Sequence, residues 1–505
     1  MKRTICLSSL LAVGVQCTFS QERPNILFFM VDDMGLMDTS VPFMTDDNGQ
    51  PVRYPLNEWY RTPNMERMAK QGIRFSTFYT QSVSSPSRAS LMTGQNATRH
   101  GTTNWIEAER NNRNNYGPDK WNWRGITKDE VTLPRVLQQA GYKTIHVGKA
   151  HFGCNNSDGA DPLNVGFDVN IAGSAIGHPG SYYGEDGYGS IKGEKARAVT
   201  GLEKYHGTQT FLTDALTIEA KDQMKQAVGE KRPFFLYLSH YAVHGPFMED
   251  KRFIDHYKDS QKPKAAQRFA ALVEGMDQSL GNVMDYLETL GIAENTLIVF
   301  MGDNGSDAPL GEATGCFSSA PIRGKKGTEY EGGMRVPFMM CWGKVNPNNK
   351  FQKQLPISQG AVQTQLGTVM DIFPTLASVG KAKNPKGHIL DGVNLRTQLM
   401  GKKNSKHPET FLMHFPHQHN SSYFTSYRNG DWKLIYEYNP ANPQSPKYQL
   451  YNLKDDFKEA HNLADVNKVK LMEMMKKMVK QLESENALYP QDAEGKELRP
   501  IMPKL

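Results

Sequence analysis

Two Asp-rich pairs stand at or just beyond the ends of short apolar runs. Asp32-Asp33 follows Asn25-Ile26-Leu27-Phe28-Phe29-Met30-Val31, and Asp303-Asn304 follows Thr296-Leu297-Ile298-Val299-Phe300-Met301. Unbroken runs of this kind read as strands buried on both faces, and open α/β sheets bind ligands beyond the carboxyl ends of their strands. Placed there, the pairs offer hard oxygen donors suited to Ca²⁺ or Mg²⁺. Alone, either pair reads better as an N-cap or an Asx-turn. Further reactive side chains are scattered along the chain: Ser84 and Arg88, Lys149 and His151, His244, and Lys326. Singly these are ordinary as well. Ser85-Pro86 makes a turn, a Lys-x-His triplet is a solvated strand end, and His244 is a hydrogen-bonded loop histidine. Their joint occurrence is the informative observation.

The elements that must position these groups alternate. After the strand 25–31, Thr62-Pro63 opens a helix that stops at Gly72, with proline at the start and glycine past the end. A helix over 133–140, a stop at Gly141 and a strand over 142–147 form the next unit. Pro233 to Leu238 is another buried strand. Leu272, Met276, Leu280, Val283 and Leu287 recur at helical spacing before Gly291 and the strand 296–301. This predicts an α/β fold with a large, mixed, mostly parallel sheet sandwiched by helices. Past the polar segment Lys402-Lys403-Asn404-Ser405-Lys406 the texture changes to short aromatic strands (411–414, 422–427, 432–436) and a helix over 468–485. The expected division is a catalytic domain over 21–400 and a smaller C-terminal α+β subdomain, with an antiparallel sheet and terminal helix, over 401–505.

The stretch Ser84-Ser85-Pro86-Ser87-Arg88-Ala89-Ser90-Leu91-Met92-Thr93-Gly94 resembles the signature of type I sulfatases, of the alkaline phosphatase superfamily. Gly148-Lys149-Ala150-His151 is similar to that family's Gly-Lys-Trp-His, with alanine in place of tryptophan. Lys326 precedes Glu331-Gly332-Gly333-Met334-Arg335-Val336-Pro337, close to the family's Glu-Gly-Gly-x-Arg-Val-Pro. The matches run in the family's order over roughly residues 23–460. The resemblance implies an alkaline phosphatase-like fold and sulfate ester hydrolysis by formylglycine (3-oxoalanine), made by oxidising Ser84. It implies a divalent ion, Ca²⁺ with Mg²⁺ as the alternative, held by Asp32, Asp33, Ser84, Asp303 and Asn304. It assigns Lys149 and Lys326 to the sulfuryl oxygens, Arg88 to holding the nucleophile, His151 to the base and His244 to protonation of the leaving oxygen. A serine-type signature further implies a bacterial enzyme and a radical maturing enzyme acting on the unfolded precursor.

Composition narrows the rest. Lys2 and Arg3 before the apolar run Leu7 to Val15 read as a secretory signal over 1–20, which predicts a periplasmic protein; Gln16 before Cys17 disfavours lipid anchoring. Without those two cations the formal charge falls from +6 to +4, no nucleic-acid footprint for 505 residues. No later run is apolar and long enough to span a bilayer. Cys154, Cys316 and Cys341 are too few and too widely spaced for a zinc site or a disulfide scaffold.

The polar loop 104–124 carries Trp105, Trp121 and Trp123, which could stack on sugar faces. His178 and Arg323 are candidates for sugar hydroxyls, and His414, His417 and His419 for reaching the same pocket. The expected substrate is a sulfated galactose or N-acetylgalactosamine at a non-reducing end, as in mucin O-glycans or glycosaminoglycans. The rivals are a phosphatase or phosphodiesterase of the same superfamily, and a non-catalytic glycan-binding protein with unmodified Ser84.

Overall fold

The run 25–31 is buried along its whole length because its side chains feed two cores at once. Leu27, Phe29 and Val31 point to one face of the sheet, and Ile26, Phe28 and Met30 to the other. The computed structural model describes residues 22–311 and 318–504. The expected signal segment, with Cys6 and Cys17, and Cys316 lie outside the described residues.

The strands are β1 (Asn25–Val31), β2 (Ile73–Phe75), β3 (Phe78–Tyr79), β4 (Lys143–Gly148), β5 (Val169–Ile171), β6 (Phe234–His240), β7 (Thr296–Gly302), β8 (Phe338–Trp342), β9 (Ala361–Gln363), β10 (Gly367–Thr368), β11 (Thr410–Gln418), β12 (Ser422–Asn429), β13 (Trp432–Glu437) and β14 (Lys447–Asn452). Eight of them form one sheet in the order β5-β4-β6-β1-β7-β8-β2-β9. Only β8 runs against its neighbours, pairing antiparallel with both β7 and β2. Helices Pro63–Gln71, Leu212–Gly229 and Lys264–Thr289 cover one face. Ser84–Thr93, Leu133–Gln139 and Ile372–Val379 cover the other. The expected doubly covered, mostly parallel sheet is the observed one.

The C-terminal strands pair antiparallel in the order β11-β12-β13-β14. Phe411, Met413, Phe415 and Phe424 of this small sheet join the core of the large one. Its opposite face meets helix Lys468–Ser484 through Leu471, Met474, Met475, Met478 and Leu482, a helical stripe. A buried ionic network ties the two sheets together. Glu331 accepts from the Tyr79 hydroxyl at 2.6 Å and from Lys433 Nζ at 3.1 Å, while Lys433 reaches Glu459 at 2.7 Å. Glu459 in turn accepts the Glu331 N–H at 2.8 Å. Burial raises Glu331's carboxyl, but Lys433, Arg428 and Arg335 outweigh it and hold it at about 2. No helix among the described residues is long and apolar enough to cross a membrane.

Helix Pro63–Gln71 has no cap from its own Thr62. Asp277, from the middle of helix Lys264–Thr289, supplies it: its carboxylate accepts the N–H groups of Asn64 at 3.0 Å and Met65 at 2.7 Å. One buried side chain thus closes a helix start and joins two helices, since such N–H groups otherwise lack partners. Replacing it by alanine (Asp277→Ala) should lower unfolding stability by about 1–3 kcal/mol, read as a shift of the urea midpoint with unchanged slope.

Candidate active site

The functional side chains predicted from sequence meet where four adjacent parallel strands end. Asp32 and Asp33 leave β1, Asp303 and Asn304 leave β7, Lys149 and His151 leave β4, and His244 lies just past β6. The ladder carries on past the strand ends: the N–H groups of Asp32, Lys149 and Asp303 donate to Ala242, Ser239 and Val31 at 2.9, 2.8 and 3.0 Å. At Gly148 φ is +104° and a Cβ would collide with the Ser239 carbonyl, so only glycine lets the chain turn here and deliver Lys149. Asp33 (φ 60°) and His151 (φ 57°) adopt left-handed backbone that non-glycine residues hold only under tertiary constraint.

Ser84 is the first residue of helix Ser84–Thr93, and Arg88 lies one turn on. Ser84 Oγ sits 3.1 Å from Asp32 Oδ1, 3.1 Å from Asn304 Oδ1 and 3.2 Å from Lys149 Nζ. Lys149 Nζ donates to both Asp32 oxygens at 2.8 and 2.7 Å. Lys326 Nζ donates to Asp33 Oδ2 at 2.7 Å and approaches His244 Nε2 at 3.1 Å. The sequence reading has Arg88 hold the nucleophile, but here it makes no bond to the Ser84 hydroxyl. Its guanidinium is fully buried and is spent on Asp303 Oδ2 (3.0 Å), Ser239 Oγ (2.8 Å) and the Lys149 carbonyl (3.0 Å). The geometry makes Arg88 a clamp on the acids, because two strand ends offer it a closer carboxylate than its own helix offers a hydroxyl.

Three carboxylates, Asp32, Asp33 and Asp303, present oxygens within 4.8 Å of one another. Burial pushes all three carboxyls up. For Asp33 the fields of His244, Lys326 and Lys149 win and the carboxyl lies below its usual range. Arg88 and Lys149 do the same for Asp303, whereas Asp32 stays raised. His244 is itself depressed to about 3, by burial first and then by Lys326 and Lys149. The imidazole is therefore neutral at neutral pH, and the lysines carry the field. Its Nδ1 faces the Gly245 carbonyl at 2.9 Å, so Nδ1 holds the proton and Nε2 accepts from Lys326. His151 has the other tautomer: Nε2 donates to the Ile106 carbonyl at 2.7 Å, which leaves the buried Nδ1 lone pair with no partner among the described residues.

The donor set fits a hard divalent cation: clustered carboxylate oxygens, the Asn304 amide oxygen and a hydroxyl. Three acids now balance the three cations bonded to them, Arg88, Lys149 and Lys326. A divalent ion seated there would turn the balance positive, the sign an anionic ester needs.

Above the cluster opens a cavity of about 500 Å³, lined by Ser84, Trp105, Glu107, Lys149, His151, His178, Arg197, His244, Lys325, Lys326, His419 and Asn420 among others. The expected sugar-facing residues divide. His178 lines the cavity and stacks on His244 at 5.5 Å. Arg323 does not; it lies over the Tyr330 ring and donates to the Glu459 carbonyl at 2.9 Å. His414 does not either; it is buried between Thr425 Oγ1 (2.8 Å) and the Leu488 carbonyl (2.9 Å). Its place within β11 turns it into the C-terminal core. His417 is buried on Thr103 and Trp121, and of the three histidines His419 alone lines the cavity. Of the three loop tryptophans only Trp105 does so, Trp121 being pinned inward by Asn111. Sequence reasoning missed Glu107, Arg197, Asp307, Lys325 and Asn420. The pairing of His419-Asn420 with the tip between two strands was the available signal.

With this geometry in hand, the comparisons with known proteins agree. A family model described as "Sulfatase" matches residues 24–382, and one described as "N-sulphoglucosamine sulphohydrolase, C-terminal" matches 325–487. N-acetylgalactosamine-6-sulfatase of Mus musculus is 33% identical over 405 residues, 77% of this chain and 69% of the relative. A protein named "Sulfatase" of Formosa agariphila is 29% identical over 526 residues, 92% of this chain and 88% of its own. The crystal structure of Ps i-CgsB in complex with k-i-k-neocarrahexaose superposes with a TM-score of 0.71 at 27% identity, covering 94% of this chain and 96% of that one. The chain belongs to the sulfatase family and is a sulfuric ester hydrolase with the alkaline phosphatase-like sulfatase fold.

Adding millimolar Ca²⁺ to chelator-treated protein should raise its melting temperature by several degrees through mass action on the folded state. The double variant Asp32→Asn/Asp303→Asn should show no such shift. Differential scanning fluorimetry reads both.

Proposed function

We propose that this enzyme hydrolyses a sulfate ester on a carbohydrate, with Ser84 converted to formylglycine as nucleophile. The observation that carries the reading is the placement of Ser84 Oγ, within 3.2 Å of Asp32, Asn304 and Lys149 at the floor of an open cavity. The cation, Ca²⁺ or Mg²⁺, would be held by Asp32, Asp33, Asp303, Asn304 and residue 84, where it would polarise a sulfuryl oxygen and acidify the nucleophile's hydroxyl. Formylglycine, once hydrated, supplies two hydroxyls, one to take the sulfuryl group and one to expel sulfate; an unmodified serine lacks the second.

The remaining work belongs to side chains in place. Lys149 and Lys326 face the sulfuryl oxygens as point charges. Arg88 keeps Asp303 ionised and in register. His151, its tautomer set by the Ile106 carbonyl, offers the Nδ1 lone pair as base. The departing sugar oxygen needs a proton because alkoxides leave poorly. That proton lies on the Lys326–His244 pair, whose nitrogens are 3.1 Å apart.

For the sugar we propose a sulfated galactose or N-acetylgalactosamine at a non-reducing end, of mucin O-glycans or glycosaminoglycans. The 33% identity to a protein named N-acetylgalactosamine-6-sulfatase supports this. So does a cavity of about 500 Å³, of small-ligand size, with Trp105, His178 and His419 on its walls. Export to the periplasm by residues 1–20, and oxidation of Ser84 by a radical maturing enzyme, complete the reading.

The test is sulfate release from a panel of defined sulfated saccharides by enzyme co-expressed with such a maturing enzyme. The peptide containing Ser84 should be lighter by two hydrogens. Ser84→Ala should abolish turnover, and Lys149→Ala should lower kcat/KM about 100-fold or more. Faster hydrolysis of the matched phosphate ester would refute the sulfatase assignment, and turnover retained by Ser84→Ala would refute the nucleophile.

A further inference from the structure

Among the cations of the cavity, one is not spent. Lys149 and Lys326 are bonded to Asp32 and Asp33. Arg197 is held by Glu109 at 2.5 and 3.0 Å, with Glu194 at 3.8 Å. Lys325 lines the same cavity, half-buried, and among the described residues its ammonium has no hydrogen bond and no carboxylate oxygen within 4.0 Å. Adjacent residues usually diverge, yet Lys325 and Lys326 both face the cavity because the chain between Gly324 and Gly327 is tightly turned. Both glycines have positive φ, +94° and +74°, and a Cβ on Gly327 would strike His419. Thr328 clasps the turn, accepting the Lys325 N–H at 3.1 Å and donating back to its carbonyl at 2.7 Å.

The tip between β11 and β12 fixes the turn from the other side. Asn420 Nδ2 donates to the Lys326 carbonyl at 2.8 Å, and the Ser421 N–H donates to the Gly327 carbonyl at 3.1 Å. Lys325 is thus held on braced backbone at the cavity wall opened by His419 and Asn420. Its ammonium acts on His419, whose imidazole is depressed by burial and then by Lys326 and Lys325. Asp307 lines the same cavity and its carboxyl feels Lys326 and then Lys325, but it makes no ion pair with Lys325 among the described residues. A cation kept half out of water without a bonded carboxylate, beside a site that binds one anion, is placed to receive another.

We propose that Lys325 binds a second anionic substituent of the substrate, a sulfate or a carboxylate next to the ester being cleaved. The enzyme then selects multiply charged glycans over singly sulfated neutral ones. This rests on the sulfatase reading above and deepens its substrate class.

The test compares three substrates with protein shown by mass spectrometry to carry oxidised Ser84. They are N-acetylgalactosamine 6-sulfate, its 4,6-disulfate, and the chondroitin 6-sulfate disaccharide with its uronate. The wild type should favour at least one doubly charged substrate by about three- to tenfold in kcat/KM, and added salt should shrink that preference. Which one is favoured tells a second sulfate from a neighbouring carboxylate. In Lys325→Gln the ratio of doubly to singly charged substrate should fall to about one. Binding of the same compounds to Ser84→Ala, by calorimetry, should show the same ratio and the same loss on adding Lys325→Gln. An equal ratio in wild type and Lys325→Gln, including equal proportional loss on all three substrates, overturns the role of Lys325 and leaves the sulfatase reading standing. No sulfate released from any of the three overturns the substrate reading and this inference together.

Discussion

Everything in this site follows from one electrostatic constraint: three carboxylates cannot converge in a dry pocket unless positive charge is brought to meet them. Two unit charges about 4 Å apart repel by about 4 kcal/mol at the effective dielectric of protein sites. The fold answers by strand order. β1 and β7, side by side, carry the acids, and β4 brings Lys149 from beyond β6. A helix start delivers Arg88 and a returning loop delivers Lys326. The left-handed backbone at Asp33 and His151, and the glycine before Lys149, are local costs of aiming so many groups at one point. They persist because two continuous cores on either side of the sheet hold the strand ends still.

The second organising fact is that the cavity has two owners. Its floor belongs to the large sheet, but His419 and Asn420 come from the antiparallel one. The backbone of Lys326 is fastened from both sides, by the Ser306 carbonyl and by Asn420. A cluster built only from the large domain would have its acids in place and one of its lysines loosely held.

Much of this was legible from sequence, for identifiable reasons. β1 matches its apolar run residue for residue, because a strand buried on both faces needs no partner to be recognised. Helix Lys264–Thr289 was visible in a stripe of Leu272, Met276, Leu280, Val283 and Leu287. The metal acids, Lys149, His151, His244 and Lys326 were legible through motif and position, and they do converge. β8 and β14 were not read. Phe338–Trp342 is apolar but carries no turn signal that reveals its antiparallel direction, and Lys447–Asn452 is an edge strand with a polar face. His414 and Arg323 failed for a different reason. Each is a polar residue near the right loops, but the direction of a side chain along a strand, or its capture by a ring such as Tyr330, is decided by tertiary packing. Lys325 was passed over because its neighbour absorbed the motif.

The buried network around Glu331 bears on how such a chain can be recombined. The polar stretch near residue 400 looks like a seam in the sequence. Yet Glu331 lies before it, and Lys433, Arg428 and Glu459 lie after it. A C-terminal segment exchanged at that seam without matching partners would leave a carboxylate sealed from water with only Arg335 to answer its charge, at a cost of several kcal/mol. The same exchange would replace the wall that carries His419 and Asn420. The two segments can therefore diversify the pocket only as a matched pair, with the ionic lock between them deciding which combinations fold.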